Sequence, residues 1–356
     1  MDGHRRESAR STGRTPTIAD VAQRAAVSSA TVSRALSGSR PMDAALKERV
    51  LAAARELGYL PNPHARALAR SQDSSIGVVV HDLSDPYFAE IVRGMLGTPQ
   101  AAERMLLICD TRRDPELEIA YVTHFRALRA QAIVLAASGS EDRAYTARMA
   151  GEVLAFERAG GRVAFIGRHH IPGDSVLPDN VGGARALAKK LVELGHVRIG
   201  VISGPRHLTT TTDRLEGFRA GLSDGGITLP AERLAQGDFG RGGGAEGARE
   251  LLRRDPDLTA IWAMNDVMAV GALTALAEDG IDVPGRITLC GFDDVPLAAD
   301  VAPRLTTVRV PMAAMGELAV QMALRPGDED IRTEQVPSEV VVRESSAPAR
   351  RRGDRR

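Results

Sequence analysis

Residues 17–38 read TIADVAQRAAVSSATVSRALSG. Ile18, Val21, Ala22 and Ala25 recur at the spacing that puts side chains on one helical face. Thr17 stands where that helix would be capped, and Ala26-Val27 reads as a tight turn. Ser28 is a good N-cap for a second helix running from Ser29 to about Leu36, with Val32, Ala35 and Leu36 facing inward. Asp43 can cap a third helix, whose Leu46, Val50, Ala53, Ala54 and Leu57 repeat at helical spacing. Three short helices with a sharp turn between the first two fit a helix-turn-helix, the unit whose second helix enters the DNA major groove.

The outward face of that second helix would carry Ser29, Ala30, Ser33 and Arg34, with Thr31 near its start. Hydroxyls reach phosphates or base edges, and an arginine can chelate guanine O6 and N7. Periodicity alone is equally compatible with a small helical bundle whose Ser and Thr are caps and whose Arg34 is solvated.

Charge bears on the choice. The chain has 46 Lys and Arg against 46 Asp and Glu, a balance that by itself argues against a nucleic-acid partner. The distribution reverses this. Residues 1–72 hold 12 Lys and Arg against 6 Asp and Glu, residues 350–356 hold five Arg and one Asp, and the stretch between is acidic by about 10. A basic head on an acidic body points to a polyanion-binding module fused to something else, although many basic termini are simply solvated tails.

Beyond Ile76 the pattern changes. Short apolar runs at Ile76–Val80, Met105–Cys109, Ala132–Ala136, Val163–Ile166, Ile199–Ile202, Ala260–Ala263 and Ile287–Gly291 alternate with amphipathic stretches such as Ala184–Leu194 and Val267–Ala277. Strands alternating with helices imply parallel sheets covered on both faces. Seven such units suit two α/β lobes better than one, with a ligand at the carboxyl ends of the strands or between the lobes. Aromatic residues make up only 3% of the chain, so Val, Leu, Ile and Ala must do most of the packing. Cys109 and Cys290 both lie in apolar runs without metal or redox spacing, and are expected as buried free thiols in a reducing compartment. The opening stretch lacks an apolar core and no run reaches 18 apolar residues, so neither a secretory signal nor a membrane span is expected, and the location expected is cytoplasmic.

The segment 17–38 resembles the signature of the LacI/GalR family of transcriptional regulators: a Thr-Ile start, Asp20-Val21-Ala22, Val27-Ser28, Ala30-Thr31-Val32-Ser33-Arg34 and Leu36-x-Gly38. The likeness continues through Arg49-Val50-Leu51, Glu56-Leu57-Gly58-Tyr59 and Pro61-Asn62-Pro63, and in the body through Asp179-Asn180, Arg214-Leu215-Glu216-Gly217-Phe218, Asn265-Asp266 and Gly291-Phe292-Asp293-Asp294. It covers about residues 16–345. It implies a helix-turn-helix head (16–61), a hinge helix and linker (62–75) and a two-lobed α/β effector-binding and dimerisation domain like that of periplasmic binding proteins (76–345); outside it, the polar, basic, aperiodic stretch 1–15 is expected to be a disordered arm and 346–356 a disordered basic tail. By the same resemblance Thr17, Ser28, Ser29, Ala30, Thr31, Ser33 and Arg34 meet DNA. Leu68 is the wedge that parts two base pairs in the minor groove, with Asn62 and Ala65 beside it, a device by which an apolar side chain kinks a duplex. Without the resemblance, Leu68 reads better as the last core residue of a linker helix.

The resemblance also implies an effector site of Tyr87, Phe88, Arg214, Phe239, Asn265 and Asp293; Thr210, in the loop after Gly204-Pro205 and near Arg214, is added as a hydroxyl donor, and Arg168, His81 and Asp82 at strand ends are weaker candidates. Aromatic faces cover the C–H side of a sugar while Arg, Asn, Thr and Asp meet its hydroxyls. Taken singly these residues are ordinary: Arg214 could cap a helix, Asp293 could sit in a turn, Phe239 could be core. Leu208 stands where purine-responsive members carry Arg, which disfavours a purine. Four places depart from the family: in the head, Ala26 replaces the usual turn Gly and Ser37 a frequent Asn; in the body, Gly97-Thr98-Pro99 interrupts a helix and Arg129-Ala130-Gln131-Ala132 lacks the usual Gly and Asp, so the first lobe is expected to be atypical at these two stretches.

A periplasmic-type binding protein would share the body but not the head. An enzyme is disfavoured, because P-loop, HExxH and GxSxG patterns are absent and Gly240–Ala245 only loosely resembles a dinucleotide loop, lacking its strand context. The expectation is a regulator without catalytic residues, metal or cofactor. It is expected to act as a repressor, binding a pseudo-palindromic double-stranded operator as a homodimer under control of a sugar effector.

Overall fold

The computed structural model describes residues 16–37, 42–59, 75–325 and 330–349. They fall into two compact units, a head within 1–73 and a body within 74–356. The head contains helices α1 (Ile18–Arg24), α2 (Ser29–Ser37) and α3 (Ala44–Glu56). Val21, Ala25, Val32, Ala35, Val50, Ala53 and Ala54 close one small core between them. The Asp20 carboxylate accepts from the amide and the hydroxyl of Thr17, both at 2.7 Å, and ties down the start of α1. Ser28 Oγ accepts the Thr31 amide at 3.1 Å, and Asp43 Oδ1 accepts that of Leu46 at 2.9 Å. At the turn between α1 and α2, Ala26 takes φ 52°, the left-handed region in which a Cβ is strained. The missing glycine therefore leaves the turn intact at a local cost.

The body runs β1 (Ser75–Val80), α4 (Pro86–Leu96), α5 (Pro99–Ala102), β2 (Met105–Asp110), α6 (Pro115–Ala127), β3 (Ala132–Leu135), α7 (Arg143–Arg158), β4 (Arg162–Ile166) and β5 (Asp174–Pro178). It continues with α8 (Asn180–Glu193), β6 (Ile199–Ser203), α9 (Thr209–Asp224), β7 (Leu234–Gln236), α10 (Arg241–Arg254), β8 (Ala260–Ala263), α11 (Asp266–Glu278), β9 (Thr288–Cys290), α12 (Leu297–Asp300), β10 (Thr307–Arg309), α13 (Met312–Ala323), β11 (Thr333–Val336) and β12 (Glu339–Val341). One parallel sheet has the order β11-β5-β4-β3-β1-β2 and the other β7-β6-β8-β9. A short antiparallel pair, β10 with β12, is bridged to the second sheet at Cys290–Thr306 and Asp293–Arg309.

All seven expected strands form. The chain passes between the lobes three times: between Pro178 and Asn180, between Arg309 and Met312, and between Val336 and Glu339. The first lobe therefore takes α13 and β11 from far along the sequence, α13 packing on α4 and β11 pairing with β5.

Within each lobe, helices approach to backbone contact. A Cβ on Gly244 of α10 would lie 2.0 Å from the carbonyl oxygen of Met268 in α11, and one on Gly271 of α11 the same 2.0 Å from that of Arg241 in α10. Each glycine is the recess that receives the other helix.

Several expectations are revised. The break at Gly97-Thr98-Pro99 is real: α4 ends at Leu96, and Thr98 caps the four-residue α5 by accepting the Ala101 amide at 3.2 Å. The first-lobe sheet is nonetheless continuous through β3, because Arg129 takes the left-handed φ of 55° in the turn before it. Cys290 is buried but Cys109 only partly so, because β2 is an edge strand. Residues 346–349, expected to begin the tail, are held on the second lobe. The Ala349 amide donates to Leu194 O at 2.8 Å, and Thr288 Oγ1 donates to Ala347 O at 3.1 Å. Among the described residues no helix is long and apolar enough to cross a membrane.

Candidate DNA interface and effector cleft

In the head, burying Val32 and Ala35 turns the opposite face of α2 outward. Ser28, Ser29, Ala30, Ser33 and Arg34 are exposed, and Thr31 and Thr17 are half-buried. Ser28 and Thr31 pair their hydroxyls at 2.9 Å, while Arg34 lies along its own helix with Nε donating to Ala30 O at 3.3 Å. The face thus presents short hydroxyls and one long cation on a rigid element, the composition suited to base edges and phosphates. Asn62, Ala65 and Leu68 lie outside the described residues.

In the body, seven of the eight expected effector residues line one cavity. Tyr87, Phe88, Thr210, Arg214, Phe239, Asn265 and Asp293 are joined there by His81, Asp85, Arg113 and Ser138. They come from loops and helix starts that follow strands of both sheets, where doubly wound folds hold ligands. On the first lobe Asp85 caps α4, its Oδ1 accepting the Tyr87 amide at 3.0 Å, and the Tyr87 and Phe88 rings meet edge-on at 5.1 Å. Burial pushes the Tyr87 hydroxyl pKa up, so it keeps its proton as a donor.

On the second lobe Arg214 is the organising group. Its Nε donates to Asn180 Oδ1 at 2.9 Å, its Nη2 to Asp293 Oδ1 at 2.6 Å and its Nη1 to the Met264 carbonyl, with the guanidinium 3.8 Å from the Phe292 ring centroid. Burial pushes the Asp293 carboxyl up, to about 7, against the pull of the Arg214 charge. Asp266, also buried, pins the loop bearing Asp293 by accepting from the Val295 amide at 2.9 Å and the Thr307 hydroxyl at 2.6 Å. Asn265 caps α11 through Oδ1 and donates through Nδ2 to Phe239 O at 3.0 Å, which fixes Phe239 at a left-handed φ of 67°. The Phe239 ring lies against Gly204, where a Cβ would come within 2.2 Å of it.

Arg168 is the exception. It grips Asp213 of α9 with contacts of 2.7–3.1 Å and Glu141 at 2.9 Å, and does not line the cavity. This pair crosses the lobes, as does the Ser138–Thr210 hydroxyl pair at 2.7 Å. Arg113, not anticipated, donates to Asp82 at 3.0 Å and stands 5.9 Å from the centroid of the Phe239 ring on the other lobe. Nothing in the sequence distinguishes it from its neighbour Arg112, whereas Asp85 before Pro86 is a legible cap.

Two buried ionisable groups of the first lobe are His81, in the cavity lining, and Glu118. Burial, with Arg113 adding to it, pushes His81 down to about 3, so it is neutral. Burial raises Glu118 to about 7, although Tyr145 donates to its Oε2 at 2.8 Å. A carboxyl held above its unfolded value binds its proton more tightly in the folded state. Its favourable contribution is complete below about pH 4.5 and lost as pH rises through 7. Glu118→Gln, uncharged throughout, is therefore expected to gain on the wild type by on the order of 3 kcal/mol between pH 4.5 and 8. Melting temperatures of both proteins at pH 5 and pH 8 check this, and an equal difference at the two pH values would refute it.

Comparison with known proteins places the chain. Residues 17–62 match the family model described as bacterial regulatory proteins, lacI family, and residues 188–346 that of a periplasmic binding protein-like domain. The transcriptional regulator GalS of Salmonella typhimurium is 36% identical over 312 residues, 87% of this chain and 89% of that protein. The transcriptional regulator GalR of Escherichia coli is 35% identical over 315 residues, 88% of this chain and 89% of that one. Among solved structures, the lac repressor dimer bound to operator and the anti-inducer ONPF superimposes with a TM-score of 0.79 at 26% identity, covering 94% of this chain and all of that one. The transcriptional regulator CelR in complex with cellobiose gives 0.68 at 29% identity, covering 93% and 100%. These relatives are regulators rather than enzymes. The chain belongs to the LacI family of DNA-binding transcriptional regulators.

Proposed function

We propose that the protein is a repressor that binds a pseudo-palindromic operator as a homodimer and is controlled by a sugar held between its lobes. The observation that carries the sugar reading is the convergence of Tyr87, Phe88 and Phe239 with Thr210, Arg214, Asn265 and Asp293 on one cavity between two parallel sheets. Ring faces and fixed polar groups of both donor and acceptor kind suit a polyol. One recognition helix buries too little surface for tight specific binding, and two-fold symmetry doubles it. In this reading the protein works in the cytoplasm, the head reads bases through α2, and Leu68, with Asn62 and Ala65, supplies the minor-groove wedge. The sugar acts by binding one arrangement of the lobes more tightly than the other. The solved complexes of the lac repressor with operator and of CelR with cellobiose support it by likeness.

Selection of bound sequences from random duplexes, repeated with a panel of sugars, tests the whole. The expected product is a palindromic motif whose recovery changes with one sugar; no preference for any duplex would overturn the reading. Within the selected motif, Arg34→Ala is expected to cost roughly 1–3 kcal/mol and to relax the preference at one base pair. Titrations at fixed salt on operator and random DNA measure it, and equal weakening on both would leave Arg34 a phosphate contact only.

A further inference from the structure

The two lobes are joined by more than the chain that passes between them. Helix α9 begins behind Leu208, a residue whose side chain has no group to hold the free amides of a helix start. The first lobe supplies a partner instead. The Thr209 amide donates to the Gly139 carbonyl at 2.9 Å, and the Glu141 amide donates back to the His207 carbonyl at 2.7 Å. Ser140 and Leu208 thereby face each other as an antiparallel bridge between the lobes. Thr209, fully buried, also donates its hydroxyl to the Arg168 carbonyl at 2.8 Å.

Side chains complete the junction. The Arg168 guanidinium forks onto Asp213 at 2.7–3.1 Å and reaches Glu141 of its own lobe at 2.9 Å, so one cation ties three segments together. Ser138 and Thr210 pair their hydroxyls at 2.7 Å. The first-lobe half is built in advance. Gly139 admits the Arg168 carbonyl oxygen to within 2.2 Å of where a Cβ would lie, and His169 Nε2 stands 2.9 Å from Ala137 O. None of these residues lies in the three stretches where the chain passes between the lobes. The bonds can therefore break without unfolding either lobe, and water replaces each of them when the lobes part. Because the chain's own atoms make every one, holding the lobes together requires no other molecule.

We infer that residues 138–141 and 168 of the first lobe and 207–213 of the second form a latch with which the chain closes its own cleft, so that closure precedes effector binding and an effector enters only while the latch is open. Arg168 is then a latch residue and not an effector contact. The latch stands whether or not the effector is a sugar.

Disulfide trapping in the full-length protein, with no sugar added, tests it. In a bridge whose flanking residues exchange the hydrogen bonds, the facing Cα atoms come about 4.5 Å apart, inside the roughly 4.4–6.8 Å that a disulfide spans. In a Cys109→Ser background, which removes the partly exposed native thiol, Ser140→Cys with Leu208→Cys should join almost completely in oxidised glutathione. A pair that stays reduced overturns the inference. Ser140→Cys alone, a near-isosteric change, then reports opening through its rate of alkylation. Asp213→Ala should raise that rate about tenfold, the scale of one hydrogen bond to a charged group. Alkylation of Cys290, fully buried in the second sheet, should not rise with it. An unchanged rate at residue 140, or an equal rise at both thiols, overturns the latch. Should Asp213→Ala fail to fold, about 1 M sodium chloride applied to Ser140→Cys replaces it, since salt screens the partly exposed Arg168 pair, and the same two outcomes decide.

Discussion

Asp293→Ala is expected to lower the melting temperature of the body by roughly 6–15 °C and to abolish its response to effector. The stability effect follows from Arg214, which is 3% exposed and cannot lose its proton. Above about pH 7 Asp293 is its anionic partner, at 2.6 Å, whereas Asn180 and the Met264 carbonyl offer it only neutral acceptors, so the melting comparison is made at pH 8. Removing one partner of a buried pair leaves an uncompensated charge, at a cost of about 3–5 kcal/mol. Alanine brings no relief of backbone strain, because residue 293 sits at φ 109° whichever of the two side chains it carries. Asp293→Asn keeps an acceptor for Arg214 and should lose less. The head has its own core, so operator affinity measured below the melting point should survive either change. A melting temperature within 1 °C of wild type would show that Arg214 does not depend on this partner, and a normal sugar response would remove Asp293 from the effector site.

Gly271→Val should be at least as severe. A Cβ at 271 would lie 2.0 Å from the Arg241 carbonyl oxygen, and a main-chain oxygen cannot swing aside as a side chain can. Helices α10 and α11 would have to separate along their length. Overpacking of ordinary cores costs about 1–3 kcal/mol and occasionally more; with backbone on the receiving side, about 3 kcal/mol or more is expected, seen as loss of soluble protein and a lower melting temperature. Gly151 of α7 provides the contrast, since a Cβ there would meet nothing within 4 Å. Gly151→Ala should stabilise by about 0.5–1 kcal/mol through helix propensity alone. If Gly271→Val proves neutral, the close approach of α10 and α11 is wrong.

The strands legible in the sequence are those with long apolar runs, such as β1, buried at all six positions, and β8, buried at all four. Those that escaped are short or polar. TEQV of β11 is exposed at three of four positions, and LAQ of β7 offers three residues with one buried. At a sheet edge the partner strand supplies the order that hydrophobic periodicity cannot announce. The cleft was legible wherever a side chain follows a strand directly, as Asn265 and Asp293 do. Arg168 was misplaced because Asp213, 45 positions away, competes for it. Arg113 and Glu118 were missed because their roles depend on burial and on neighbours from other segments, which no local pattern encodes. The head is almost wholly legible in the sequence, since its caps and core recur within about 40 residues of one another.

The threefold passage of the chain between the lobes has a bearing on biosynthesis. On the ribosome, everything from Asn180 to Arg309 emerges before the pieces that complete the first lobe. For on the order of ten seconds the nascent β5 edge and the apolar side of α4 have no cover. Chaperone demand should therefore concentrate in that interval, and a stop codon placed just before Met312 should yield a product cleared by proteolysis even though its second sheet is whole.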